Sequence, residues 1–150
     1  MHRMAQFAIV SLILSLVTGC GGKSGNAPTA PPVVPTVQEQ EPNDVTPQAL
    51  GTLGSEDIIL AGTSASQHDI DLYSINLPGA SRVFVSVAWS GSSDLDLAVL
   101  DTTHVFLNAQ DTGSNPEHCT LASLAAGNYI VRVTEKSAGA KAYTLTIGSR

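Results

Sequence analysis

The chain has 150 residues, 43% of them hydrophobic, 13% charged and 5% aromatic, and 13 acids against 7 bases leave a formal net charge of -6. Such a length allows one domain with a tail rather than two full domains. The acid excess excludes a nucleic-acid binder, which clusters Lys and Arg, and a charge fraction near half the usual ~25% excludes a solvated charged tail or a coiled coil. Met1 to Gln6 then carries one fixed positive side chain, Arg3, and Phe7 to Val17 runs without charge. That apolar run is shorter than the roughly 20 residues a membrane-spanning helix needs. A short basic start before a short apolar run is the pattern of a secretory signal peptide, Met1–Gly19.

The end of this leader, Val17-Thr18-Gly19-Cys20, resembles a bacterial lipobox. Small residues before the cysteine suit a lipoprotein signal peptidase, and the resemblance implies that Cys20 receives a lipid and anchors the chain to a membrane. Gly21 rather than Asp follows, which in a Gram-negative host favours the outer membrane. Acylation of Cys20 leaves Cys119 alone, without an intramolecular disulfide. Alternation puts Cys119 on one face with Leu121, as a buried free thiol. Its neighbour His118 points to the opposite face and is a poor partner for a catalytic thiol.

Cys20 to Gln38 reads as a disordered tether. Gly and Ser give way to Pro28, Pro31, Pro32 and Pro35, so it begins flexible and stiffens toward polyproline II. It has too little apolar surface to fold alone. From Glu39 onward the hydrophobic period becomes two. Tyr73, Ile75 and Leu77 form one apolar face; Val83, Val85, Val87 and Trp89 a second; Leu95, Leu97 and Val99 a third. Tyr129, Val131 and Val133, then Tyr143, Leu145 and Ile147, form two more. Asp57 to Thr63 and Val105 to Asn108 are weaker strands, and Thr120 to Ala126 makes one short helical turn at most. Gly-, Ser- and Asn-rich turns separate these segments. Short strands at regular spacing, each with one buried face, predict an all-β, antiparallel, jelly-roll-like sandwich over Glu39–Arg150. Its core takes Trp89, Tyr73, Tyr129 and Tyr143, leaving Phe84 and Phe106 as surface aromatics.

Five segments in order, Glu39-Gln40-Glu41-Pro42-Asn43-Asp44, Asp69-Ile70-Asp71-Leu72-Tyr73, Asp94-Leu95-Asp96-Leu97, Ala126-Gly127-Asn128-Tyr129-Ile130-Val131-Arg132-Val133 and Tyr143-Thr144-Leu145, resemble the bacterial pre-peptidase C-terminal domain. This β-sandwich family is related to the collagen-binding domains of clostridial collagenases, and its members usually follow a secreted peptidase. Here no peptidase is present, and with Trp89 and all three tyrosines on core faces collagen binding does not carry over.

Chemistry concentrates in acids. Glu39 to Asp111 holds 11 acids and one base, Arg82, whereas Thr112 to Arg150 holds two acids and four bases. Asp69 and Asp71 flank Ile70 and project to one side of a strand. In an extended segment Glu39, Glu41 and Asn43 point one way, and Asp44 joins them where Pro42 bends the chain. Calcium takes six to eight oxygens from carboxylates, amides, carbonyls and water. Composition alone favours reading this acidic start as a solvated turn after a linker. The resemblance implies a calcium site made of Glu39, Glu41, Asn43, Asp44, Asp69 and Asp71. Gln67 and His68 stand where some relatives carry further ligands, and a neutral imidazole suits calcium poorly, so one ion is expected. Asp94 and Asp96 are read as partners for turn and edge backbone groups.

The histidines show no zinc spacing. Asp111-Thr112-Gly113-Ser114 matches the short motif of aspartic peptidases, but it has no second copy and follows Asn108-Ala109-Gln110, so it reads as a turn. The sequence thus predicts a non-catalytic, monomeric, calcium-stabilised binding or adaptor module. It is exported and held at the bacterial cell envelope through Cys20, with a protein or polymer ligand and no nucleic acid. The alternative is a small exported hydrolase or an accessory domain of a secreted peptidase.

Overall fold

Alternation of apolar and polar residues makes each long segment of this chain a strand with one face to bury. The computed structural model describes residues 36–137 and 141–150. The leader Met1–Gly19, Cys20 and the tether as far as residue 35 lie outside the described residues. Ten strands follow: β1 (Thr36–Gln38), β2 (Gln48–Thr52), β3 (Ile58–Ser64), β4 (Ile70–Leu77), β5 (Ser81–Trp89), β6 (Leu95–Asp101), β7 (Phe106–Gln110), β8 (Glu117–Leu124), β9 (Gly127–Glu135) and β10 (Lys141–Ser149). They form two five-stranded sheets, ordered β1-β3-β10-β5-β8 and β2-β4-β9-β6-β7.

The fold is the expected all-β sandwich, with two features that alternation did not reveal. β1 pairs parallel with β3, and β2 pairs parallel with β4, so each sheet is antiparallel except at one edge. Neither edge strand has a continuous apolar face to betray it: β1 is three residues long, and β2 reads Gln-Ala-Leu-Gly-Thr. The ordered sheet therefore starts within the segment read as tether. The stretch from Thr120, expected to hold at most a helical turn, belongs to β8 instead, because Cys119, Leu121 and Leu124 face the core and hold the chain extended.

Between the sheets lie Tyr73, Ile75, Val83, Val85, Val87, Trp89, Leu97, Val99, Val131, Val133, Tyr143, Leu145 and Ile147, among others. Tyr129 is only partly buried at the margin, its hydroxyl donating to the Ala125 carbonyl at 2.9 Å. A second, smaller apolar cluster lies on the outer face of the β4-containing sheet: Leu72, Ala98, Leu100 and Ile130, with Ile70 beside them. These residues alternate out of phase with the core, so β4, β6 and β9 are apolar on both faces.

Two buried glutamates cross-link the sheets. Glu117 on β8 accepts from the Leu97 amide at 3.1 Å, and from the Thr112 amide and hydroxyl at 2.7 and 2.9 Å. Glu135 on β9 accepts from the Ser64 hydroxyl at 2.9 Å, and from the Ser137 amide and hydroxyl at 2.8 and 2.5 Å. Three donors apiece make burial of these carboxylates tolerable. Gln48 closes the opposite edge: its Nε2 donates to the Gln38 carbonyl at 3.0 Å, and its Oε1 accepts from the Gln40 amide at 2.9 Å.

Candidate metal centre

The Glu39–Asp44 segment owes its position to both sheets. Past β1, the Glu39 amide extends the ladder by donating to the Ala61 carbonyl at 3.0 Å. The chain then leaves the first sheet, and the Asn43 carbonyl accepts from the Leu72 amide of β4 at 3.3 Å. The segment thus bridges the sandwich beside the start of β4. Asp71 lies in phase with Tyr73 and Ile75, so its side chain points inward at the end of the core, where it is buried.

The structure brings the six expected side chains together. Glu39, Glu41 and Asp71 each place an oxygen within 4.8 Å of the others, as do Asp44, Asp69 and Asp71, so two acidic triads share Asp71. Buried Asn43 sits between them. With its carboxamide nitrogen toward Glu39 Oε1 at 3.4 Å, its oxygen lies 3.2 Å from both Asp71 Oδ1 and Glu41 Oε2; turned over, the nitrogen donates to those two instead. Gln67 and His68 are not part of this group. Gln67 donates to the Lys136 carbonyl at 3.4 Å, and His68 is exposed with φ 68°.

Tyr73 and Tyr143, expected from alternation as core residues, also bring their hydroxyls to this group, which alternation does not reveal. The two hydroxyls meet, one from each sheet, and Tyr73 also donates to Glu39 Oε1. Tyr143 lies 2.6 Å from Asp71 Oδ2 and 2.9 Å from Glu39 Oε1. The Tyr143 ring reaches this position across β3 because residue 62 is glycine: a Cβ there would collide with the hydroxyl-bearing edge of the ring. Tyr73 and Tyr143 are in phase with their core faces, and only the pairing of two sheets brings their hydroxyls to the acids.

These donors are neutral, and among the described residues no Lys or Arg pairs with any of the five carboxylates. Burial first, then the charges of Glu39, Asp69 and Glu41, pushes the Asp71 carboxyl from its ordinary 3.8 up to about 8, despite the Tyr143 hydrogen bond. Burial also raises Glu41, aided by Glu39, Asp69 and Asp44 and opposed by the Asn43 amide. Both tyrosines are pushed well above their usual range, mainly by burial, and remain protonated donors. Five convergent carboxylates and an amide, without a cation, make a hard-oxygen donor set of the kind that holds a divalent metal ion.

A second acidic group is built differently. Lys136 Nζ lies 3.0 Å from Asp96 and 3.7 Å from Asp111. Asp94 Oδ1 and Asp96 Oδ1 find no partner among the described residues. The Asp111-Thr112-Gly113-Ser114 stretch is an exposed turn, held by Glu117 through Thr112.

Residues 69–135 match the family model of the bacterial pre-peptidase C-terminal domain. The match spans 67 of the 150 residues. The matched stretch begins at Asp69, so it contains Asp69 and Asp71 but not Glu39–Asp44. In structure the chain is similar to the pre-peptidase C-terminal domain of a collagenase from Bacillus anthracis, with a TM-score of 0.57 and 15% identity over 73% of this chain and 99% of that one. PliG, a periplasmic lysozyme inhibitor of g-type lysozyme, from Aeromonas hydrophila is matched with a TM-score of 0.47 and 15% identity, over 70% of this chain and all of that one. PliG from Salmonella Typhimurium is matched at 0.45 and 18%, again over 70% of this chain. No curated protein matches the sequence.

Proposed function

We propose that this chain is a non-catalytic, exported binding or adaptor module whose pre-peptidase C-terminal domain is stabilised by calcium. The observation that carries the reading is the convergence of Glu39, Glu41, Asn43, Asp44, Asp69 and Asp71 from two separate segments onto one uncompensated point. A bound calcium ion supplies positive charge and no redox chemistry there. Asp71 and Glu39 present their oxygens inward, held by Tyr73 and Tyr143, while Asn43 ties the segment to β4. The result is a fixed exit for the tether and a chain entry protected from proteolysis. The leader and lipobox pattern supports export and anchoring through Cys20, with the outer membrane favoured in a Gram-negative host. The domain works as a monomer presenting its surface to a protein or polymer.

Terbium, which takes calcium sites, tests this directly because two tyrosines stand beside the carboxylates. Tyrosine-sensitised emission should rise saturably, be competed away by calcium and vanish in Asp71→Asn. Emission that calcium cannot displace, or none at all, rejects the site.

A further inference from the structure

Two side-chain amides tie edge strands of the two sheets together, one at each open side of the sandwich. At one side Asn108 of β7 donates through Nδ2 to the Thr120 carbonyl of β8 at 3.0 Å. At the other, Gln48 of β2 uses both ends of its amide. It donates through Nε2 to the Gln38 carbonyl at 3.0 Å and accepts at Oε1 from the Gln40 amide at 2.9 Å.

The two staples differ in what lies between their contacts. Gln38 and Gln40 flank Glu39, so the Gln48 amide grips the backbone on both sides of an acid of the metal centre. Gln48 sits opposite Tyr73 in the β2–β4 register, and Tyr73 donates to the carboxylate of the same Glu39. Farther along, the Asn43 carbonyl is held by the Leu72 amide at 3.3 Å. The stretch carrying Glu39, Glu41 and Asn43 is therefore fixed to the β2–β4 sheet at both ends. Between them the Thr63 amide of β3 donates to Glu39 Oε2 at 2.6 Å. Asn108 and Thr120 adjoin no group of metal-ligand type among the described residues, so that staple serves the fold alone.

Charge makes such bracing necessary. β1 is three residues long, Gln40 and Glu41 are exposed, and Glu39 and Glu41 face Asp71 and Asp69 with no cation among them. Repulsion within this group pushes the segment away from β4. A neutral amide resists that push without adding charge of either sign, whereas a lysine at the same point would pair with the acids and compete with a metal ion. Backbone that is fixed beforehand removes part of the ordering cost of binding, and the difference appears as affinity.

We infer that Gln48 is a positioning residue for the metal centre: by holding the backbone on either side of Glu39, it keeps the acidic edge formed before an ion arrives and so sets the affinity for that ion. The inference rests on the reading of this edge as a calcium site. The test is a terbium titration of the full chain with calcium as competitor, joined to amide hydrogen exchange in chelator. Gln48→Met keeps the length of the side chain and loses both hydrogen bonds. It should bind calcium at least about fivefold more weakly. In chelator its Gln40 amide should exchange faster than in the unmodified chain, while the Val131 and Val133 amides of the core keep their protection. Gln48→Thr, a good strand former too short to reach β1, should behave alike. Asn108→Ala removes the matching staple and should leave calcium affinity unchanged. Undiminished affinity in both Gln48 variants, or an equal loss in Asn108→Ala, overturns the inference, because either result makes the amide a structural link only. So does loss of Val131 and Val133 protection in both Gln48 variants, which would make Gln48 a determinant of the fold. An unmodified chain that binds neither ion overturns the calcium reading and this inference together. Ion binding that the Gln48 variants do not weaken overturns this inference alone.

Discussion

Two sets of carboxylates in this sandwich meet opposite fates. Glu117 and Glu135 are buried between the sheets, each with three donors supplied by the chain, and each ties one sheet to the other. Glu39, Glu41, Asp44, Asp69 and Asp71 crowd one edge with neutral donors only, and burial, with the crowding added to it, raises Asp71 and Glu41. Buried acids whose donors are built in are structural cross-links. Acids that converge without a cation leave a charge deficit for something outside the chain to fill.

The largest expected effect breaks the self-sufficient set. Glu135→Ala strands the Ser64 and Ser137 donors inside the sandwich and should cost about 3 kcal/mol or more in chemical denaturation, equally with calcium or chelator. A loss that calcium repairs would mean that the two sets are not distinct. Next comes Gly62→Ala, whose new methyl must displace the Tyr143 ring. A cost of about 1–3 kcal/mol is expected from overpacking, together with weaker calcium binding, because the same ring positions Asp71. Lost stability at unchanged calcium affinity would separate the tyrosine from the acids.

The smallest effect has an unusual sign. An acid whose folded pKa is raised stabilises the fold while protonated, and that contribution is lost as pH rises. For Asp71 the loss runs from its ordinary 3.8 to about 8. In chelator the melting temperature should therefore fall across that range, and Asp71→Asn should flatten the fall and raise the midpoint near neutral pH. A midpoint that Asp71→Asn lowers instead would show that the carboxylates are not in conflict.

The sequence exposes those parts of the fold that obey a simple period. β4, β5, β6, β9 and β10 are legible because a buried face every second residue is written in Tyr, Val, Leu and Ile. β1 and β2 are not, since parallel edge strands are held by register with β3 and β4 rather than by a face of their own. At the acidic edge the ligand-type residues are legible as a cluster, but their tyrosine supports are not, because hydroxyls from two sheets meet only once the sandwich closes. Glu117 and Glu135 had a signal that could have been read. Glu117 is in phase with Cys119 and Leu121, and Glu135 with Val131 and Val133, so each continues a core face.

Thermal unfolding of the full chain near neutral pH, in chelator and then in calcium, tests most directly whether an ion fills the deficit at the Glu39–Asp71 edge. At calcium a hundredfold above its dissociation constant, linkage gives about 2.7 kcal/mol, a rise of roughly 10 °C for a domain of this size. A melting temperature that neither calcium nor chelator moves would contradict the account.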